Sequence, residues 1–312
     1  MIEMDYLDED LAYFLGAIVA RGRILKRGSM STIIVSYPFK NLEVEGLTRS
    51  YRTHDQLSLG LDKIVKRIRR LGFDVEKEVL ESECQLIIRA KTGSLQMRVL
   101  EQHLGKGAAT HLEFHIPHAI FYRSKSIQKE FLKGYADVAG HVRKSNYYYD
   151  GRHRVYIDVL NSNWHLPIEL CTLLQDHLGI PVQTIDWGHP NMRDPLLSEY
   201  KEGRIHAWAR EHQLKIFADA FLQIGFYIRY KDEILQELGE FNKENYPSSR
   251  PEFCNPPKPI REKKPKHPAE NDERLPPQLR GRHFDSYWQI CEAMGCPRCR
   301  KQAKIGGNYV SL

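Results

Sequence analysis

Cysteine is scarce in this 312-residue sequence: there are six, and four of them, Cys254, Cys291, Cys296 and Cys299, stand in the last fifth. A disulfide framework is therefore excluded, and the clustering points to a metal near one end. Long apolar runs are also missing. The longest near the start, residues 14–20, is closed by Arg21 and falls well short of the roughly 18 residues that a membrane span takes. The first residues lack the positive charge of a secretory leader and carry Glu3, Asp5, Asp8, Glu9 and Asp10 instead. These absences predict a soluble, intracellular protein. Apolar residues make up 41% and charged residues 28%, which excludes disorder over most of the chain, and the length suggests about two domains. A net charge of +6 suits a polyanionic partner if the positive residues gather on one face.

What is present is a pattern written twice. Residues 10–22 form an apolar helix candidate with Gly16 and Gly22, and residues 130–140 form another with Gly134 and Gly140, so both hold glycines six apart. The glycines that close them, Gly22 and Gly140, are offset by 118 residues, and two later strand candidates, 86–91 and 205–210, are offset by 119. Two matching offsets indicate an internal duplication. Strands are expected at 32–37 and 155–160, helices at 57–71 and 166–178 closed by Gly72 and Gly179, and final helices at 94–103 and 213–225. Each half then reads αββαββα. Nine of the sixteen prolines lie between Pro247 and Pro277 in a basic, apolar-poor stretch that reads as a linker. After it, Phe284, Tyr287, Trp288 and Cys291 recur at helical spacing ahead of Cys296-Pro-Arg-Cys299. The expected organisation is 1–125, 126–245, a linker over 246–282, and a small terminal module over 283–312.

Residues 14–22, Phe-Leu-Gly-Ala-Ile-Val-Ala-Arg-Gly, and 132–140, Leu-Lys-Gly-Tyr-Ala-Asp-Val-Ala-Gly, resemble the two nine-residue motifs of single-chain LAGLIDADG homing endonucleases. Ile116-Pro117, Asn161-Ser162-Asn163 and Ile224-Gly225-Phe226 add to the resemblance, which spans about residues 5–245. It implies an α+β fold of two pseudo-symmetric repeats, a monomer with an internal pseudo-twofold. Small residues, Gly16, Ala17, Ala20, Gly134 and Ala136, would let the motif helices touch. It implies a saddle of strands in the major groove of double-stranded DNA. Arg89, Lys91, Tyr156, Asp158, Arg204, His206 and Arg210 are the candidate contacts, and a cytoplasmic, nucleoid-associated location follows.

The same resemblance exposes a departure. The family's chemistry takes a carboxylate at the eighth place of each motif to hold Mg²⁺ over the scissile phosphates. Here those places are Arg21 and Ala139, neither of which ligates a metal. Asp137 is the shifted candidate for a catalytic carboxylate, although two residues' rotation turns it roughly 200° away on a regular helix, and His141 lies just past the motif. The reading is a sequence-specific DNA-binding protein without cleavage, acting as a regulator or targeting component. Two alternatives stay open: an endonuclease or nickase with a shifted metal site, and an RNA-binding intron-splicing maturase. At the other end, Cys296 and Cys299 with Cys291 or Cys254, or His283 as substitute, predict a structural Zn²⁺ ringed by Arg298, Arg300, Lys301 and Lys304 that could recruit a protein partner.

Overall fold

Thirteen residues in a row, Glu9–Arg21, form the first helix, α1, because Asp8 caps it by accepting from the Leu11 amide at 2.8 Å and Gly22 ends it in extended backbone. The structure is a computed structural model that describes residues 6–105, 107–145, 151–160, 163–189, 202–204, 211–246, 277–279, 282, 290 and 293–295. Every residue of α1 from Leu11 to Ala20 is buried, and a helix apolar all round has to be enclosed on all sides. Among the described residues no helix is long and apolar enough to cross a membrane.

The chain continues through β1 (Gly22–Arg27), β2 (Met30–Pro38), the short helix α2 (Phe39–Leu42), a two-residue-strand hairpin β3 (Val44–Glu45) and β4 (Ser50–Tyr51), and helices α3 (His54–Leu59) and α4 (Asp62–Arg70). It then forms β5 (Asp74–Val79), β6 (Glu83–Lys91), α5 (Leu95–Leu104), α6 (His118–Phe121) and α7 (Lys125–Ala139). After α7 come β7 (Gly140–Arg143), β8 (Arg154–Leu160), α8 (Leu166–Thr172), β9 (Thr184–His189) and β10 (Glu211–Phe217). A short helical turn, Ala218–Phe221, and a long closing helix, Arg229–Asn245, complete the main body.

The first sheet is ordered β1-β2-β6-β5, all antiparallel. The same order recurs as β7-β8-β10-β9, extended beyond β7 by β3 and β4. The strands are therefore laid down in one sequence twice, as a duplication requires. Two compact units are present: Met1–Ile157 with Phe217–Pro247, and Asp158–Ile216 with Ser248–Leu312. They do not follow the repeat boundary at 125, because α1 and α7 pack against each other and hold both helices in the first unit.

Three sequence expectations change. The helix over 57–71 is two helices, broken at Gly60, where a side chain would run into the Tyr230 ring. The helix over 166–178 is α-helical only to Thr172, and its last turn, Leu173–His177, is a π-turn stopped by Gly179 at φ +72°. The expected final helix over 213–225 is the end of β10 followed by one turn. Leu214 and Ile216 alternate with Gln213 and Lys215, a period of two that belongs to a strand. The strand candidate 205–210 lies outside the described residues, and in the second sheet β10 takes the place that β6 has in the first. The closing helix went unread, although Tyr230, Ile234 and Leu238 recur four apart and are buried.

Candidate nucleic-acid interface

Two helices that touch must bring their backbones together, and here only hydrogen fits at the contact. A Cβ on Gly16 would collide with the carbonyl oxygen of Phe131, and one on Gly134 with that of Tyr13. The collisions are reciprocal, as expected of a pseudo-twofold between α1 and α7. The buried guanidinium of Arg67 fixes their direction. It donates from Nε to Asp10 at 2.7 Å, pairs through Nη1 with Glu130 at 2.7 Å, and lies over the Tyr13 ring, 4.3 Å from its centre. Asp10 and Glu130 both precede the glycine contact, so the two N-terminal ends share one clamp and the helices run parallel. Burial alone would lower the Arg67 pKa, but the Glu130 and Asp10 carboxylates raise it.

Both C-terminal ends consequently emerge on one side, five residues beyond Gly16 and Gly134, at Arg21 and Ala139. Ala139 is buried, and its carbonyl accepts from Asn41 Nδ2 at 3.1 Å. Arg21 is half-buried in the last turn of α1, and Arg23 next to it on β1 is exposed. Beyond Arg21, the Gly22 carbonyl accepts from the His111 amide at 2.8 Å. Burial lowers the pKa of His111, opposed by the bond of its ring Nδ1 to the same carbonyl at 3.1 Å, and the charges of Arg21 and Arg23 lower it further.

Asp137 does not reach this end. The side chain is 0% exposed, and its oxygens accept from Tyr13 Oη at 2.6 Å, the Tyr227 amide at 3.1 Å and the Ile228 amide at 3.3 Å. Burial raises its pKa to about 6, opposed by the Lys231 charge and by those three donors. As a candidate metal ligand it is thus corrected: the carboxylate ties α1 and the 227–228 turn to α7. Lys231, also 0% exposed, is a residue that sequence reasoning missed. Its ammonium donates to the carbonyls of Ala136 at 3.0 Å, Asp137 at 3.0 Å and Gly140 at 2.6 Å, placing a cation on the end of α7. Arg67 and Tyr13 were missed as well. In sequence, Arg67 lies in the run 62–70 that reads as a solvated basic helix face, and nothing local marks it as buried.

On the first sheet, alternation sets one face against the core (Ile33, Val35, Leu86, Ile88) and turns the other outward. The register puts Arg23, Ile34, Ile87 and Glu76 in one outward row and Leu25, Thr32, Arg89 and Asp74 in the next, with Arg27, Met30 and Lys91 beyond them. Arg89 and Lys91 therefore share a face with Arg23 and Arg27. Arg89 is paired with Glu76 at 2.8 Å, and Asp74, Glu76 and Glu78 make the β5 edge acidic. The positive side of this face is β1 and the end of β6.

The later strands behave differently. Tyr156 is 9% exposed, its ring stacked on that of His141 at 5.1 Å, and the Arg143 guanidinium lies 5.0 Å from the centre of the Tyr156 ring. Asp158 is 6% exposed and accepts from Gln213 Nε2 at 2.9 Å. Both side chains are buried, which corrects the expectation that Tyr156 and Asp158 are open contacts. Arg204 forms an exposed pair with Glu202 at 2.6 Å. His206, Arg210, Cys254, Cys291, His283, Cys296 and Cys299 lie outside the described residues, as do 161–162. Among the described residues, no three His, Cys, Asp or Glu side chains gather as a metal site.

No family model and no curated protein matches this sequence. Among solved structures, the N-terminal LAGLIDADG domain of DUF199/WhiA is similar at 14% identity, covering 76% of this chain and 84% of that one with a TM-score of 0.38. I-DmoI in complex with DNA and Mn is similar at 16% identity, 69% and 95% coverage, and a TM-score of 0.36. The LAGLIDADG homing endonuclease I-GzeII in complex with its DNA target is similar at 9% identity, 76% and 93% coverage, and a TM-score of 0.34.

Proposed function

We propose that this chain is a double-stranded DNA-binding protein of the LAGLIDADG type that recognises a specific sequence and does not cleave it. The observation that carries the reading is the parallel, glycine-packed pair of motif helices. It ends in Arg21 and Ala139 beside an outward sheet face bearing Arg23, Arg27, Arg89 and Lys91. Phosphate contacts from the arginines would position the duplex, and Thr32, Ser36 and Gln85 on the same face offer hydrogen bonds to base edges. A role as regulator or as the targeting subunit of an intracellular, nucleoid-associated system follows from binding without hydrolysis.

Selection of random duplexes by gel shift tests it: the full chain should return one long, asymmetric site. Uniform binding that collapses with salt would reject specific recognition. Structured RNA competing better than the selected duplex would favour the splicing reading, since RNA is read through shape and 2′-hydroxyls. A structural zinc on Cys296 and Cys299 with Cys291 or Cys254 belongs to the same reading, together with a protein partner recruited through that end. Metal analysis of the purified chain returning no zinc would remove both.

A further inference from the structure

The resemblance implies divalent metal at the eighth places of the two motifs, and the residues there do not fit it. Ala139 has no ligating atom, and its carbonyl is engaged by Asn41. Arg21 brings a fixed positive charge that repels a cation. The one motif carboxylate, Asp137, is wholly buried with both oxygens bonded inside the protein. The end of α7 already has a cation on its carbonyls, the Lys231 ammonium. Hard divalent ions take six or more oxygens, and no cluster of three acidic, His or Cys side chains exists among the described residues.

We propose that the paired helix ends hold the phosphodiester backbone of a duplex directly, through the guanidinium groups of Arg21 and Arg23, with no divalent cation between protein and phosphate. The inference rests on the DNA-binding reading and deepens it by naming what the site grips and with which groups. Arg21 closes α1, where a cation also offsets the helix's negative end, and Arg23 extends from the next strand onto the outward face that holds Arg27, Arg89 and Lys91. Arg21 and Arg23 flank Gly22, whose carbonyl bonds the His111 ring at Nδ1, 3.1 Å away. A guanidinium is suited to this task because its planar fork matches two phosphate oxygens and keeps its charge at any physiological pH. Such a site binds a phosphate diester but supplies no activated water, so binding and cleavage separate physically at these two positions.

The test is fluorescence anisotropy of the full chain on its selected duplex, in EDTA and in Mg²⁺ at matched ionic strength, with Arg21→Ala and Arg23→Ala alongside. The expected result is equal affinity in both buffers. Each variant should lose about fivefold to tenfold, with the salt dependence of log Kd reduced by about one. Arg23 is exposed, so Arg23→Ala keeps its fold and preserves the test if Arg21→Ala is unstable. Titration with Mn²⁺ followed by electron paramagnetic resonance should find no stoichiometric site in the protein alone. Duplex binding that requires Mg²⁺, a Mn²⁺ site that Asp137→Ala abolishes, or unchanged binding in both arginine variants would overturn the inference while leaving DNA binding intact. Failure to bind any duplex in either buffer would overturn the DNA reading, and the inference with it.

Discussion

Gly16 and Gly134 are the residues at which the smallest change has the largest expected effect. Each faces a backbone carbonyl of the opposite helix, and backbone, unlike a flexible side chain, cannot move aside. Gly16→Ala and Gly134→Ala should each destabilise the folded chain by about 3 kcal/mol, at the high end of overpacking, even though alanine is the better helix former. Urea denaturation midpoints measure this, and equal stability in either variant would contradict the packing. Asp137 makes a second residue-level prediction. The folded chain keeps its proton up to about pH 6, whereas the unfolded chain releases it near 3.8, so between these values unfolding releases a proton. Stability from this group therefore falls as pH rises from about 4 to about 6 and levels off above. Asp10 has the opposite sign: Arg67 and Arg70 hold its pKa down against burial, so its contribution is lost as pH falls below the usual carboxylate range. Melting temperatures across this range should show the first slope, and it should be absent in Asp137→Asn. That variant also removes the carboxylate charge that faces the buried Lys231 ammonium and should cost about 3 kcal/mol.

At the level of elements, the sheet faces are unequal. The outward face of β1, β2, β6 and β5 presents Arg23, Arg27 and Lys91 to solvent, whereas Tyr156 on β8 and Asp158 beside Gln213 are closed in. Arg89→Ala and Lys91→Ala should weaken duplex binding severalfold while leaving the melting temperature within about 2 °C, as surface substitutions do. Asp158→Ala and Tyr156→Ala should do the reverse, lowering stability through an unsatisfied Gln213 and a lost ring stack with little direct effect on affinity. Isothermal titration beside thermal melts separates the two patterns. Alternation along β8 was legible in the sequence and correctly gave a strand. That its polar residues are buried was not, because period two says which residues share a face and not whether that face meets solvent.

For the whole molecule, the expectation is that plasmid incubated with the full chain and Mg²⁺ or Mn²⁺ stays uncut, since the paired ends carry an arginine and an alanine where hydrolysis takes carboxylates. Reproducible cutting lost in Asp137→Ala would reverse that. Residue type and spacing along one chain were enough for the two glycine-bearing helices, the strands that follow each of them and the missing eighth-place carboxylates. They did not determine that Arg67 is enclosed between Asp10, Glu130 and Tyr13, that Lys231 sits on the end of α7, or that Asp137 turns inward to Tyr13. Those partners lie between 54 and 124 residues apart in the chain, and only the packed structure brings them together. Burial of charge is a property of the surroundings, and the surroundings are assembled by the tertiary fold.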